Sequence, residues 1–248
     1  MSSRIVRTMG LVLVLVALAL PAFAQGAASV DRRIATTVAH QLERRGILRA
    51  GNIMVSVQDG TVTLSGQVPS LWLKRAVIDQ ARGVDGVRSV VSRLTVMAPE
   101  TDQGLAEQVA RRLRHSVYNT IFDNVNVSAT NGVVRLTGQV MSPFAKRQMG
   151  DTVRKVVGVQ GVHNDLQVLP ESMNDNELRL AVARRIYGNP LFSDQAILPA
   201  PPVHIIVKGS RVTLVGVVGS NALKIRAGML ARDVFGVMGV TNDLRVDS

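Results

Sequence analysis

No cysteine occurs in this 248-residue chain. Disulfides, a thiol nucleophile, thiolate metal sites and lipid-modified cysteine are all excluded by that absence. Aromatic residues are scarce too, with one Trp, two Tyr and five Phe, so any core must be built from aliphatic side chains. Acids are outnumbered, 18 against 29 Lys plus Arg, and the formal net charge is +11. Such a balance directs attention to anionic partners, nucleic acid or an anionic membrane surface. The longest apolar run, Leu11 to Leu20, is about half the roughly 20 residues that a bilayer crossing needs. What is present is apolar material: 46% of residues are hydrophobic, which excludes wholesale disorder and suffices for one large core or several small ones.

The apolar run sits in a telling context. Arg4 and Arg7 precede it, and Pro21-Ala22-Phe23-Ala24 follows. A charged segment, an apolar segment and an A-x-A site make up a secretory signal peptide, here residues 1–24, with cleavage expected after Ala24. Its removal takes away Arg4 and Arg7 and no acid, so the net charge falls from +11 to +9. Export separates the chain from nucleic acid and leaves lipid, wall polymer or an acidic protein as partners. Without cysteine the exported chain is expected not to be a lipoprotein, and any membrane association to be peripheral.

The remainder is one unit written three times, the feature to seek before any other. Asp59-Gly-Thr-Val-Thr-Leu-Ser-Gly-Gln-Val68 recurs as Asn131-Gly-Val-Val-Arg-Leu-Thr-Gly-Gln-Val140, and more loosely as Gly209-Ser-Arg-Val-Thr-Leu-Val-Gly-Val-Val218. Twenty residues separate Gly66 from Gly86, Gly138 from Gly158 and Gly216 from Gly236. Each later glycine opens a Gly-Val step that leads to Leu94-Thr-Val96, Leu166-Gln-Val168 or Leu244-Arg-Val246.

Each unit begins with a helical stripe: Ile34, Val38, Leu42; Leu105, Val109, Leu113; Leu178, Val182, Ile186. Asp31, Asp102 and Asp175 precede the stripes, and are expected to cap the helix and oppose its positive end. Two alternating strands follow, with Asp59-Gly60 and Asn131-Gly132 supplying the positive-φ pair of a tight hairpin. Gly209-Ser210 stands there in unit 3. Gly66, Gly138 and Gly216 are expected to end the second strand. Ser70, Ser142 and Ser220 are expected to cap a second helix, whose inner stripe in unit 1 is Leu73, Val77, Ala81 and Val84. A last strand closes the unit. The fold expected is α+β: three tandem αββαβ units, each with two helices packed on one face of a three-stranded mixed sheet, spanning residues 30–97, 102–169 and 175–247. Unit 3 alone carries a Pro-rich insertion, residues 189–202, a natural place for a specific contact.

The order αββαβ, the DG-x-V-x-L-x-G-x-V hairpin and the terminal GV-x-x-V-x-N-x-L-x-V strand resemble the BON domain. Val159-Gln-Gly-Val-His-Asn-Asp-Leu-Gln-Val168 and Val237-Met-Gly-Val-Thr-Asn-Asp-Leu-Arg-Val246 carry the strand motif, whereas unit 1 has Ser92 at the Asn position. Members of that family include osmotically inducible periplasmic proteins and outer-membrane-associated lipoproteins, and familiar ones carry two such domains. The resemblance implies a periplasmic protein without catalytic residues that binds phospholipid or supports envelope integrity.

The residues themselves offer little chemistry. His40, His115, His163 and His204 share no position in the repeat and no i, i+4 spacing. No glycine pattern matches a phosphate-binding loop. Asp79 and Asp151 are equivalent, but Met229 stands at that place in unit 3, and a solvated helix face accounts for the pair. Neither enzyme activity nor a metal or cofactor is expected.

Surface residues do recur. Lys74, Lys146 and Lys224 are equivalent, as are Arg82, Arg154 and Arg232. In units 1 and 2 an aromatic precedes the cations: Trp72-Leu-Lys-Arg75 and Phe144-Ala-Lys-Arg147. Taken singly, these residues are read first as solvated cations and as a cover for the helix start. Their repetition argues for a bilayer interface, with rings at headgroup depth and cations on phosphates. The outward sheet face of unit 3, with Ile206, Val215 and Val217, is expected to pack on a neighbouring unit or a protein partner. Two functions follow: binding of anionic phospholipid or another envelope component, or a protein-interaction scaffold built on the unit 3 sheet face and residues 189–202.

Overall fold

The computed structural model describes residues 22–44, 47, 52–198 and 200–247. Most of the expected leader lies outside the described residues. Unit 1 comprises α1 (Ala22–Arg44), β1 (Asn52–Gln58), β2 (Thr61–Val68), α2 (Leu71–Arg82) and β3 (Ser89–Val96). Unit 2 comprises α3 (Asp102–Arg114), β4 (Asn124–Thr130), β5 (Val133–Val140), α4 (Pro143–Arg154) and a last strand in two pieces, β6 (Gly161–Asn164) and β7 (Gln167–Val168). Unit 3 comprises α5 (Met173–Tyr187), a short α6 (Ser193–Ala196) inside the insertion, β8 (Val203–Lys208), β9 (Arg211–Val218), α7 (Asn221–Arg232) and β10 (Gly239–Val246). No helix among the described residues is long and apolar enough to cross a membrane.

In every unit the second strand is central, antiparallel to the first and parallel to the last. The hairpin makes the antiparallel pair, and the second helix serves as the crossover that a parallel pair requires. Central position explains burial: Val62, Leu64 and Val68 are fully covered, while Ile53, Val55 and Val57 on the β1 edge are half-buried. All nine residues of the first-helix stripes are buried, as are Leu73, Val77 and Ala81 of α2 and Val84 just beyond its end. Ser70, Ser142 and Ser220 cap the second helices, each hydroxyl accepting from the backbone N–H three residues on.

The three aspartates do something other than cap. Asp31 accepts from the backbone N–H groups of Asp59 and Gly60 at 2.7 and 2.9 Å. Asp102 accepts from Asn131 and Gly132 at 2.7 and 2.8 Å, and Asp175 from Gly209 and Ser210 at 2.8 Å each. Each carboxylate thus spans both amides of the hairpin turn and ties helix to sheet. Capping falls instead to Thr101 and Ser172, and in unit 1 the helix starts at Ala22, which leaves Asp31 inside it. The turn itself is invariant: Gly209 and Ser210 adopt φ of 57° and 61°, like Asp59 and Gly60 at 50° and 73°.

Gly66, Gly138 and Gly216 also depart from expectation, lying within β2, β5 and β9 rather than ending them. Their φ is near 120°, and an added Cβ would sit 1.7–2.0 Å from the backbone oxygen of Asn52, Asn124 or Pro202. No side chain fits that approach.

Neighbouring units interlock. Leu71, at the start of α2, packs on the unit 2 core, and the Gly158 N–H donates to the Pro69 carbonyl at 3.0 Å. Phe122 of unit 2 packs on the unit 3 core, and the Ile205 N–H donates to the Ile121 carbonyl at 2.7 Å. The loop holding Phe122 is fixed by Asp123. Its buried carboxylate accepts from the Thr120 N–H and hydroxyl and from the Met141 N–H.

Candidate functional site

The repeated cations lie on the second helices, as expected, but their surroundings differ by unit. In α2, Trp72 is 52% exposed, Arg75 and Arg82 are exposed and Lys74 is half-buried. In α4, Phe144 is 51% exposed, Arg147 is exposed and Lys146 and Arg154 are half-buried. The Phe144 ring meets Tyr118 edge to face, with centroids 5.5 Å apart, so part of its role is to cover that tyrosine. Arg82 pairs with Asp79 at 3.5 Å and Arg154 with Asp151 at 2.7 Å. Helix α2 packs beside α4, whereas α7 packs on α5, β9 and β10 of its own unit. The ten residues therefore do not form one site.

Unit 3 breaks the pattern in a concerted way. Ile225 stands where units 1 and 2 have Arg75 and Arg147, and Met229 where they have Asp79 and Asp151. Phe235 replaces Asp85 and Val157, and Met238 replaces Arg88 and Gln160. All four are exposed, Phe235 at 99% and Met238 at 76%. Ile225 and Met229 share one helical stripe at i, i+4, and the other two lie in the turn between α7 and β10. Lys224, Arg226 and Arg232 accompany them, and among the described residues no carboxylate is within ion-pair distance of these three. Asp233 pairs with Arg185 at 3.9 Å. Large apolar side chains left exposed on α7 and in the turn after it, with unpaired cations on the same helix, suit an interaction surface better than a solvated face.

The repeat pattern points to Lys224 and Arg232 in this unit and not to the four apolar residues. The signal was available in the repeat alignment, which set Met229 against two aspartates, but only burial shows that the replacements face outward.

Several other polar groups serve the fold. Asn164 and Asn242 donate side-chain N–H bonds to the carbonyls of Lys146 and Lys224 at 2.8 and 2.7 Å, passing over Gly150 and Gly228. Unit 1 has Ser92 and Ile78 at these places, so it lacks the amide and the glycine together. Arg179 is buried, donates to the Val207 carbonyl at 2.6 Å and also to Asn176. Burial lowers its pKa, against the opposing charges of Asp175 and Asp123. Tyr187 is pushed up to about 12 by burial, partly countered by its bond to Val203. No group of His, Asp and Glu among the described residues could hold a metal ion.

A family model described as the BON domain matches residues 30–98, 101–170 and 174–248. Osmotically-inducible protein Y of Escherichia coli K12 is 30% identical over 144 residues, which cover 55% of this chain and 72% of that protein. Among solved structures, the C-terminal domain of CdsD, the structural protein of the type III secretion system of Chlamydia trachomatis, aligns with 13% identity and a TM-score of 0.25, over 85% of this chain and 96% of that one. The PrgH periplasmic domain aligns with 14% identity and a TM-score of 0.23, over 82% and 99%. Likenesses that faint bear on neither function nor partners.

Proposed function

The chain belongs to the BON domain family, and from that premise we propose that it is a non-catalytic periplasmic protein that binds anionic phospholipid and supports envelope integrity under osmotic stress. Similarity to an osmotically inducible protein supports the stress-related part of this reading. The observation that carries the lipid part is the α7 surface. Burying a large apolar side chain contributes about 1.5–3 kcal/mol, and each cation near an anionic membrane surface about 1 kcal/mol. Phe235, Met238, Ile225 and Met229 with Lys224, Arg226 and Arg232 together suffice for reversible, peripheral adsorption. Trp72 and Phe144, beside Lys74-Arg75 and Lys146-Arg147, supply secondary contacts, and Arg82 and Arg154 are largely spent on their acidic neighbours.

Flotation of the exported chain with vesicles of phosphatidylglycerol and phosphatidylcholine, against phosphatidylcholine alone, tests this. Binding is expected only to the anionic vesicles, to weaken with salt, and to be lost in Phe235→Asp with Met238→Asp. Trp72→Ala and Lys74→Glu should weaken it less. Equal binding to both vesicles, or full binding by the double variant, refutes the proposal. A second reading, a protein-interaction scaffold, has its support in the cleft that the unit 3 sheet face and Pro201–Pro202 form with unit 2.

A further inference from the structure

A cleft of about 600 Å³ lies between units 2 and 3. One wall is β4 at Asn124–Val127; the other is the outer face of the unit 3 sheet, at His204, Val215 and Val217. Three observations bear on what it holds.

The first concerns strand edges. In β8, the residues whose backbone groups point away from β9 are Val203, Ile205 and Val207, and the chain itself bonds both outward groups of the first and one of each of the others. The Tyr187 hydroxyl donates to the Val203 carbonyl at 2.6 Å and accepts from its N–H at 3.0 Å. Ile121 takes the Ile205 N–H, and Arg179 donates to the Val207 carbonyl. By shared register (Val127 opposite Leu136 as Ile205 is opposite Leu214), the corresponding β4 residues are Val125, Val127 and Ala129. No bond from a described residue outside β5 reaches them, and their side chains are half-buried where those of β8 are fully buried. An unpaired edge is a template for another strand.

The second is polar demand. Asn119 Oδ1 and His204 Nδ1, on opposite walls of the cleft, are buried and have no hydrogen-bond partner among the described residues. Buried polar atoms without partners are rare in folded proteins and call for a ligand or ordered water. The third is precedent: where unit 2 meets β8, it does so through a main-chain bond from Ile121. The molecule already covers a strand edge by this means.

We propose that the cleft binds an extended polypeptide segment of a partner protein, which adds to β4 as a further strand. Its main chain pairs with Val125 and Val127, alternate side chains face Val215 and Val217, and its polar groups lie beside Asn119 and His204. Recognition of this kind takes affinity from backbone bonds and selectivity from every second side chain. The basic chain favours acidic flanks on that segment by complementary charge. This site is separate from the α7 surface and stands or falls without it.

The probe is a panel of synthetic ten-residue peptides alternating Val or Ala with Thr or Ser, with Glu at both ends, added to the exported chain. A binding peptide is expected to slow amide exchange at Val125 and Val127 by tenfold or more. Methylating its alternate backbone nitrogens should weaken binding at least tenfold while leaving its side chains unchanged. Val127→Pro removes an N–H that β5 does not use, so the sheet is expected to persist while binding is lost. Val215→Lys, which fills the cleft from the opposite wall, should do the same with β4 untouched. The proposal is overturned if no peptide protects Val127, if methylated and parent peptides bind alike, or if both variants bind normally. Concentration-dependent dimers abolished by Val127→Pro would also overturn it, by showing that a second copy covers the edge.

Discussion

Replacing Asp175 by Ala is expected to loosen the β8–β9 hairpin and leave the other two units intact. Its carboxylate accepts two backbone N–H bonds at 2.8 Å, and bonds to a charged acceptor contribute roughly 1.5–3 kcal/mol each. Gly209 is exposed and Ser210 half-buried, so the freed amides regain some water and the net loss is about 2–4 kcal/mol. The same clamp holds Ser210 at φ +61°, a conformation that costs a residue with a Cβ roughly 1–2 kcal/mol, so releasing the turn returns part of that strain. Asp102 makes the same two bonds to Asn131 and Gly132, so Asp102→Ala should cost unit 2 a similar amount. Asp175→Asn is nearly as harmful as Ala, since one amide oxygen serves one N–H while the NH₂ group opposes the other. Hydrogen exchange on the whole chain, resolved by peptide, reads the result. Exchange across residues 203–218 should accelerate by about 30- to 700-fold at 1.4 kcal/mol per tenfold, with residues 124–140 unchanged. Ser210→Gly in the Asp175→Ala background should recover part of the loss. If exchange across β8–β9 is unaltered, or if Asp175→Asn matches the unsubstituted chain, the clamp has no energetic role.

Three further perturbations have defined outcomes. Gly228→Ala puts a Cβ 2.7 Å from Asn242 Nδ2 and should cost about 1–3 kcal/mol; adding Asn242→Ser, the unit 1 solution, should restore most of it in urea melts. Arg179→Met leaves the buried Val207 carbonyl without its donor and should cost about 1–3 kcal/mol, seen by exchange as faster opening of β8 alone. Tyr187 is held near 12 in the folded state against an ordinary 10.0, so the unfolded chain ionises first. The stability it contributes is complete below pH 10 and lost as pH rises towards 12. Because the group is only half-buried, the loss is about 2 kcal/mol at most, and denaturation at pH 9, 10.5 and 12 should show it vanish in Tyr187→Phe.

Element order and core were legible because both rest on periodicities that burial enforces. The stripes Ile34–Leu42, Leu105–Leu113 and Leu178–Ile186 are buried as spaced, and the serine caps act at the positions expected. Asp31, Asp102 and Asp175 misled because an acid ahead of an apolar stripe has two partners within reach. The helix amides lie along the chain, whereas the hairpin amides lie 28 to 35 residues away. Linear reading sees only the first. The same limit hid the α7 surface: Met229 was visible as a missing aspartate, yet whether Ile225, Phe235 and Met238 face core or solvent depends on packing. The apolar strand face of unit 3 was better served, since Val215 and Val217 alternate with buried Val212, Leu214 and Val218 and do turn towards unit 2.

The seat of Phe122 on the unit 3 core sets a direction along the chain. Unit 3 takes from its predecessor an aromatic side chain and the acceptor for a backbone N–H; unit 2 takes Leu71 from unit 1 in the same sense. Emerging from synthesis or export N-terminus first, each unit therefore arrives after the neighbour that completes it. Severed at Pro170, the third unit would lose its lid and leave the Ile205 N–H without its acceptor. The first two would keep their own cores and forfeit only the cover over Phe122. Units removed from the C-terminal end would leave the cores of the remaining ones complete, whereas removal from the other end would strip the next unit of an apolar cover.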